Sequence, residues 1–116
     1  MMPPGAYRDF RMRARDHIQG EIFARQGSFL TVRVRRVFRG PIRKGAILTL
    51  GISVLPDGPV PVGGTLYMSP ETVDRARFLE AFLDGDPPVI VRDQVKFIDR
   101  ISWFPQGNPR VEGATW

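Results

Sequence analysis

The chain has 116 residues, 12 glycines, 11 prolines, no cysteine, one histidine and a formal net charge of +5. That length holds one compact domain and leaves no room for a second module, and the lack of cysteine excludes disulfide scaffolds, thiol chemistry and Cys-rich zinc sites. Glycine and proline at a fifth of the chain disfavour long helices, and charges interrupt every apolar run far short of the roughly 18 residues of a membrane span.

Residues 1–12 open with Pro-Pro-Gly and show no period, which predicts a flexible N-terminal arm. Met1 to Asp16 is basic with no apolar segment behind it, so it does not read as a secretory signal. A cytoplasmic location is the default expectation, although an exported parent, shortened, would read the same. A first strand is predicted from His17 to Ala24, where Ile18, Gly20, Ile22 and Ala24 alternate onto one face. Gln26-Gly27-Ser28 reads as a hairpin turn. The clearest strand runs from Phe29 to Phe38, with Leu30, Val32 and Val34 on one side and Thr31, Arg33 and Arg35 on the other. Val37 lies on the wrong parity for that series. One extra residue at Arg35-Arg36-Val37, a β-bulge, restores it to the face of Val34.

Gly40 to Gly45 is a turn, and Ala46 to Leu55 returns to strand character with Leu48, Leu50, Ile52 and Val54 on one face. Gly51 marks a kink or bulge there. Pro56 to Gly64 reads as a loop and Thr65 to Met68 as a short strand. The single predicted helix starts at Ser69 as N-cap with Pro70 behind it. Its apolar stripe is Val73, Ala76, Leu79 and Leu83, widened by Phe78 and Phe82, and it stops at Gly85 before Pro87-Pro88. A long last strand follows from Val89 to Trp103, with Val89, Val91, Val95, Phe97, Ile101 and Trp103 facing inward and Asp93 marking a bulge or a barrel rim. Phe38, Phe97 and Trp103 are assigned to the core. The domain spans residues 13–104, and 105–116 form an irregular tail.

This order predicts a mostly β protein: a small five-stranded Greek-key barrel with one helix before the last long strand. It resembles the OB fold, a partly open barrel with a helix between its third and fourth strands. Within residues 28–67, the runs Thr31-Val32-Arg33-Val34-Arg35-Arg36-Val37-Phe38-Arg39-Gly40, Arg43-Lys44-Gly45-Ala46-Ile47-Leu48-Thr49-Leu50 and Val62-Gly63-Gly64-Thr65-Leu66-Tyr67 resemble those of Cys-poor bacterial netrin/tissue-inhibitor-of-metalloproteinase-like (NTR-like) domains. These motifs are turn chemistry, so the resemblance implies a fold and not an activity. The inhibitors of that superfamily place an N-terminal cysteine on the target's zinc, and this chain begins Met1-Met2-Pro3-Pro4.

No catalytic constellation emerges, and the expectation is a protein that is not an enzyme, without cofactor or metal. His17, alone at a strand entrance, reads as structural or solvent-facing. Gly40 to Gly45 lacks Walker spacing, because Lys44 precedes Gly45 with no Ser or Thr after it. Asp84-Gly85-Asp86 lacks the further oxygens of a calcium loop. Asp93 and Asp99, six residues apart on one strand, stand roughly 20 Å from each other, too far for a glycosidase pair.

Charge is uneven. Residues 1–45 carry eleven Lys and Arg against three acidic groups, a surplus of +8, while the remainder carries −3. The leading expectation is a non-catalytic binding module with a protein-interaction or structural role, its partner an unknown protein or a second copy, through Phe104 and Trp116. The alternative is single-stranded nucleic-acid binding without sequence preference, through Arg33, Arg35, Arg36 and Phe29 of the second strand and an arm of Arg11, Arg13 and Arg15. A plain solvated face, blunted by arginine, would look the same in sequence.

Overall fold

A computed structural model describes residues 4–54 and 68–106. The strands are β1 (Asp16–Gln26), β2 (Phe29–Arg39), β3 (Ile47–Gly51), β4 (Phe78–Asp84) and β5 (Val89–Ile98), and the helices are α1 (Pro4–Arg13) and α2 (Pro70–Arg75). All five strands form one antiparallel sheet in the order β3-β2-β1-β4-β5. β1 is therefore the central strand, pairing with β2 on one side and β4 on the other.

One face of this sheet is the apolar core. Ile18 from β1, Leu30, Val32 and Val34 from β2, Leu50 from β3 and Leu79, Ala81 and Leu83 from β4 are wholly buried in it, with Val73 of α2 against them. The predicted alternation along β2 holds, and so does the bulge. Gly20 pairs with Val34 while Gln19 pairs with Arg36, so Arg35 is the extra residue and Val37 returns to the core side. Gly20 pairs with Val34 beside the bulge; a Cβ there would stand 2.3 Å from Val32 Cγ1, so only glycine lets the strands approach this closely. In the turn after β2, Gly40 has φ of 103°, and an added Cβ would fall 2.1 Å from Asp16 Oδ1.

Several expectations are corrected. Residues 4–13 are helical rather than an irregular arm. Arg39 explains this locally: its Nη2 donates to the carbonyls of Arg11 (2.6 Å) and Ala14 (2.7 Å), which the end of α1 leaves unpartnered. The predicted helix from Ser69 to Leu83 is two elements. Its start is as predicted, with Ser69 Oγ accepting from the Thr72 amide, but α2 ends at Arg75 and Ala76 is extended. Phe78–Asp84 is instead an interior strand, buried on both faces over Leu79–Leu83, so an almost continuous apolar run carries no clean period of two. The predicted fourth strand at Thr65–Met68 lies outside the described residues except for Met68, which bridges to Val54. The loop from Pro56 to Gly64 lies outside them as well.

The third strand is shorter than predicted, ending at Gly51, yet Ile52 and Val54 keep their inward positions. The last strand ends at Ile98, well before Trp103. Asp93 does mark a bulge, wider than one residue: Ala81 pairs with Val95 but Leu83 with Ile90, so Phe82 faces the stretch Val91–Gln94. Arg92 and Asp93 there have φ of 45° and 58°. The bulge changes parity, which places Ile90 rather than Val89 on the core and leaves Val89 57% exposed. Trp103 is 78% exposed, contrary to its assignment to the core.

Side-chain anchors further hold the helices to the sheet. Arg25, at the end of β1, donates to both oxygens of Asp74 on α2, at 2.6 and 2.9 Å, and these hydrogen bonds hold the Asp74 carboxyl below its ordinary range. Arg11 Nη1 donates to Gln94 Oε1 at 2.7 Å, fixing α1 to the β5 bulge.

Candidate functional site

The residues of β1, β2 and β4 that alternate away from the core form a second, outer face. From β2 it takes Arg33, Arg36 and Phe38, from β1 His17, Gln19 and Glu21, and from β4 Phe78, Glu80 and Phe82. Cross-strand pairing places Glu21 opposite Arg33 and Phe78, and Gln19 opposite Arg36 and Glu80. The chain then crosses this face after β5. Ser102 N donates to Gln19 Oε1 (2.8 Å), Gln19 Nε2 donates to Ser102 Oγ (3.0 Å), and Gln106 N donates to Glu80 Oε1 (2.8 Å).

Beneath this strap lies a buried polar layer. Gln19 and Glu80 are fully buried and joined by a hydrogen bond from Gln19 Nε2 to Glu80 Oε1 of 2.6 Å. His17 is 4% exposed, stacked on Phe82 with ring centroids 3.9 Å apart and tilted against Phe38. Its Nε2 lies 3.1 Å from Glu80 Oε2, an ion-pair distance when the ring is protonated, but off the line of a hydrogen bond. The one histidine is thus a buried packing group between two aromatic rings.

Above and beside that layer, arginines and aromatic rings alternate. Arg36 lies under the Trp103 ring, 4.2 Å from its centroid, and Arg33 lies 5.0 Å from the Phe23 centroid. Arg36 Nε is buried with no hydrogen-bond partner among the described residues. Arg35, displaced by the bulge, donates from Nη1 to Glu21 Oε1 at 2.6 Å. Phe23 and Phe29 are 52% and 57% exposed, and Phe104 reaches 78%. Phe29 also covers Gly51 of the neighbouring strand. Beyond the strap, a cleft of about 500 Å³ is lined by Lys96, Asp99, Arg100, Ser102 and Gln106 among others.

The structure thus brings Arg33, Arg35, Arg36 and Phe29 onto one face. Arg11 and Arg15 lie elsewhere. Arg11 is engaged with Gln94, and burial together with the nearby Arg8 lowers its basicity. Arg15 donates to Asp16 Oδ2 and to the Gly85 carbonyl. Both sit by the far end of β2, where Arg39 holds the α1 carbonyls; Arg39 is roughly 20 Å along the strand from Arg33. Arg13 is exposed on α1. Phe104 adjoins Trp103, and Trp116 lies outside the described residues.

Sequence reasoning missed Phe23 and Trp103 as members of this face. Phe23 is the extra residue of a bulge, since Ile22 pairs with Val32 and Ala24 with Thr31. Its odd parity against Ile22 and Ala24 was the available signal. For Trp103 the signal was Asp99-Arg100, two charges that interrupt the inward series where the chain turns back. Among the described residues, no cluster of three or more His, Cys, Asp or Glu side chains is placed to hold a metal ion. Compared with family models, with curated proteins and with solved structures, the chain has no match, so this face is read from its own chemistry.

Proposed function

We propose that the chain is a non-catalytic binding module of OB-like, Greek-key architecture whose outer β1–β2 face takes an extended polyanion. Several features support the architecture. β1 pairs with both β2 and β4, α2 falls between β3 and β4 in chain order, and β3 and β5 come into contact at the edges where an OB-like barrel would close. The likeness of residues 28–67 to NTR-like domains belongs to the same proposal. The non-catalytic reading is supported by the burial of His17 and Glu80, which withdraws that histidine–carboxylate pair from solvent.

One observation carries the polyanion reading: Arg33 and Arg36 are each laid against an aromatic ring on the same sheet face. A guanidinium held flat on a ring keeps its outward N–H groups for an anion while its position is already set. Arg35 adds a third cation, paired with Glu21. A second reading, a protein partner or a second copy, rests on the adjoining exposed rings of Trp103 and Phe104.

Titration of the ¹⁵N-labelled protein with inorganic polyphosphate tests the first reading. Amide shifts should concentrate in Thr31 to Arg36 and shrink with added salt, and the double variant Arg33→Ala, Arg35→Ala should abolish most of them. Shifts confined to α1, or none at physiological ionic strength, would remove the polyanion face. A mass that rises with concentration, lost in Phe104→Ser, would then support the second reading.

A further inference from the structure

We infer that the polyanion is single-stranded nucleic acid, that Trp103 is its base-stacking platform, and that Gln19 and Ser102 are the residues that position the indole. This rests on the polyanion-face reading and goes further, to a ligand class and a device. A polymer of bare phosphate needs cations only and gains nothing from exposed rings. Nucleic acid brings a base to each phosphate, and stacking on aromatic side chains is tolerant of sequence.

Trp103 is unusual in being highly exposed yet tightly held. A large ring at 78% exposure gains little from burial, so its position must come from elsewhere. The preceding residue, Ser102, is fastened to the buried Gln19 by two hydrogen bonds, and the strap is fastened again three residues later through the Gln106 amide to Glu80. Beneath the ring lies Arg36, whose buried Nε has no partner among the described residues. The result is an indole plane fixed in advance, backed by a cation, with most of its surface open. Ordering a stacking ring before binding removes an entropy cost that the ligand would otherwise bear.

The second arginine–ring pair lies along the same strand pair. Arg36 is opposite Gln19 and Arg33 opposite Glu21, so their backbone positions are about 7 Å apart along β1. An extended nucleotide chain spans that step with one phosphate at each guanidinium. Phe23, beside Arg33, then offers the second ring. The cleft beyond the strap carries Lys96, Arg100 and the acidic Asp99 on its walls.

The test compares a twelve-residue thymidine oligonucleotide with inorganic polyphosphate of matched charge, using a Trp116→Phe background so that Trp103 is the sole indole reporter. The oligonucleotide should quench Trp103 emission and bind at least about tenfold more tightly than polyphosphate. Trp103→Ala should weaken the oligonucleotide roughly 5- to 100-fold, the range expected for one stacked base, and weaken polyphosphate, which loses only the support of Arg36, by a much smaller factor. Ser102→Ala and Gln19→Ala should each reduce the preference for oligonucleotide over polyphosphate, a ratio that a general loss of folded protein would not move. Ser102 is the primary variant because it is the less buried of the two. Equal binding of the two polymers without quenching, or an oligonucleotide affinity indifferent to Trp103→Ala, would overturn the inference and leave the polyanion face standing. Binding of neither would overturn both.

Discussion

The two faces of the sheet are drawn from alternating residues of the same strands and are held by different physics. On the inner face, Ile18, Val32, Val34, Leu79 and Ala81 exclude water through apolar contact, which is non-directional and tolerant of small rearrangements. On the outer face, Gln19, Glu80, Ser102 and Gln106 are held by hydrogen bonds at defined distances. A buried polar group must find its partner or lose stability, so this face admits one arrangement of the strap and of Trp103. The inner face makes the protein fold; the outer face decides what it displays.

The largest effect should come from placing a charge on the inner face. Val34→Asp strands a carboxylate among wholly buried side chains and should cost several kcal/mol, enough to unfold a marginal domain. Arg33→Ala, one residue away on the exposed side, should change stability by no more than about 0.5 kcal/mol. Urea midpoints of the two variants measure the contrast, and similar midpoints would mean that the faces are misassigned.

Glu80→Ala should fall between these limits. It removes one of the two acceptors of Gln19 Nε2 and the acceptor of the Gln106 N–H, and should lower stability by about 2 kcal/mol. The loss should be local, with amide exchange accelerating at Ser102 and Gln106 before it does at Val32 or Leu79. Uniform acceleration throughout the sheet would show that the strap is not a separable layer. The smallest effect is at the helix cap: Ser69→Ala removes the acceptor for the Thr72 amide and should cost about 1 kcal/mol by denaturant midpoint. An unchanged midpoint would show that α2 contributes little to the inner face through Val73.

The difference between the faces also explains which elements were legible. β2 is apolar on one side and polar on the other, so its alternation, its bulge at Arg35 and its hairpin at Gly27 were all readable. β4 is buried on both sides, and its run Phe78-Leu79-Glu80-Ala81-Phe82-Leu83 fits a helical stripe as well as a strand. Arg33, Arg35, Arg36 and Phe29 were recognisable as one row because they share β2. Arg11 and Arg15 were misread as an arm because their partners, Gln94, Asp16 and the Gly85 carbonyl, include groups about 70 or more residues away.

Local pattern by itself determined the β-rich class, the inward set of β2 and β3, the bulge of β2 and the start of α2, because each depends on parity, turn residues or capping within a few neighbours. Only the tertiary structure decided that β4 is a strand, that residues 4–13 are helical, that His17, Gln19 and Glu80 are buried and that Trp103 stands over Arg36. Each of those depends on a partner far away in the chain. A polar residue on a strand looks the same in sequence whether water or a returning segment covers it, and only the path of the chain after Ile98 distinguishes the two.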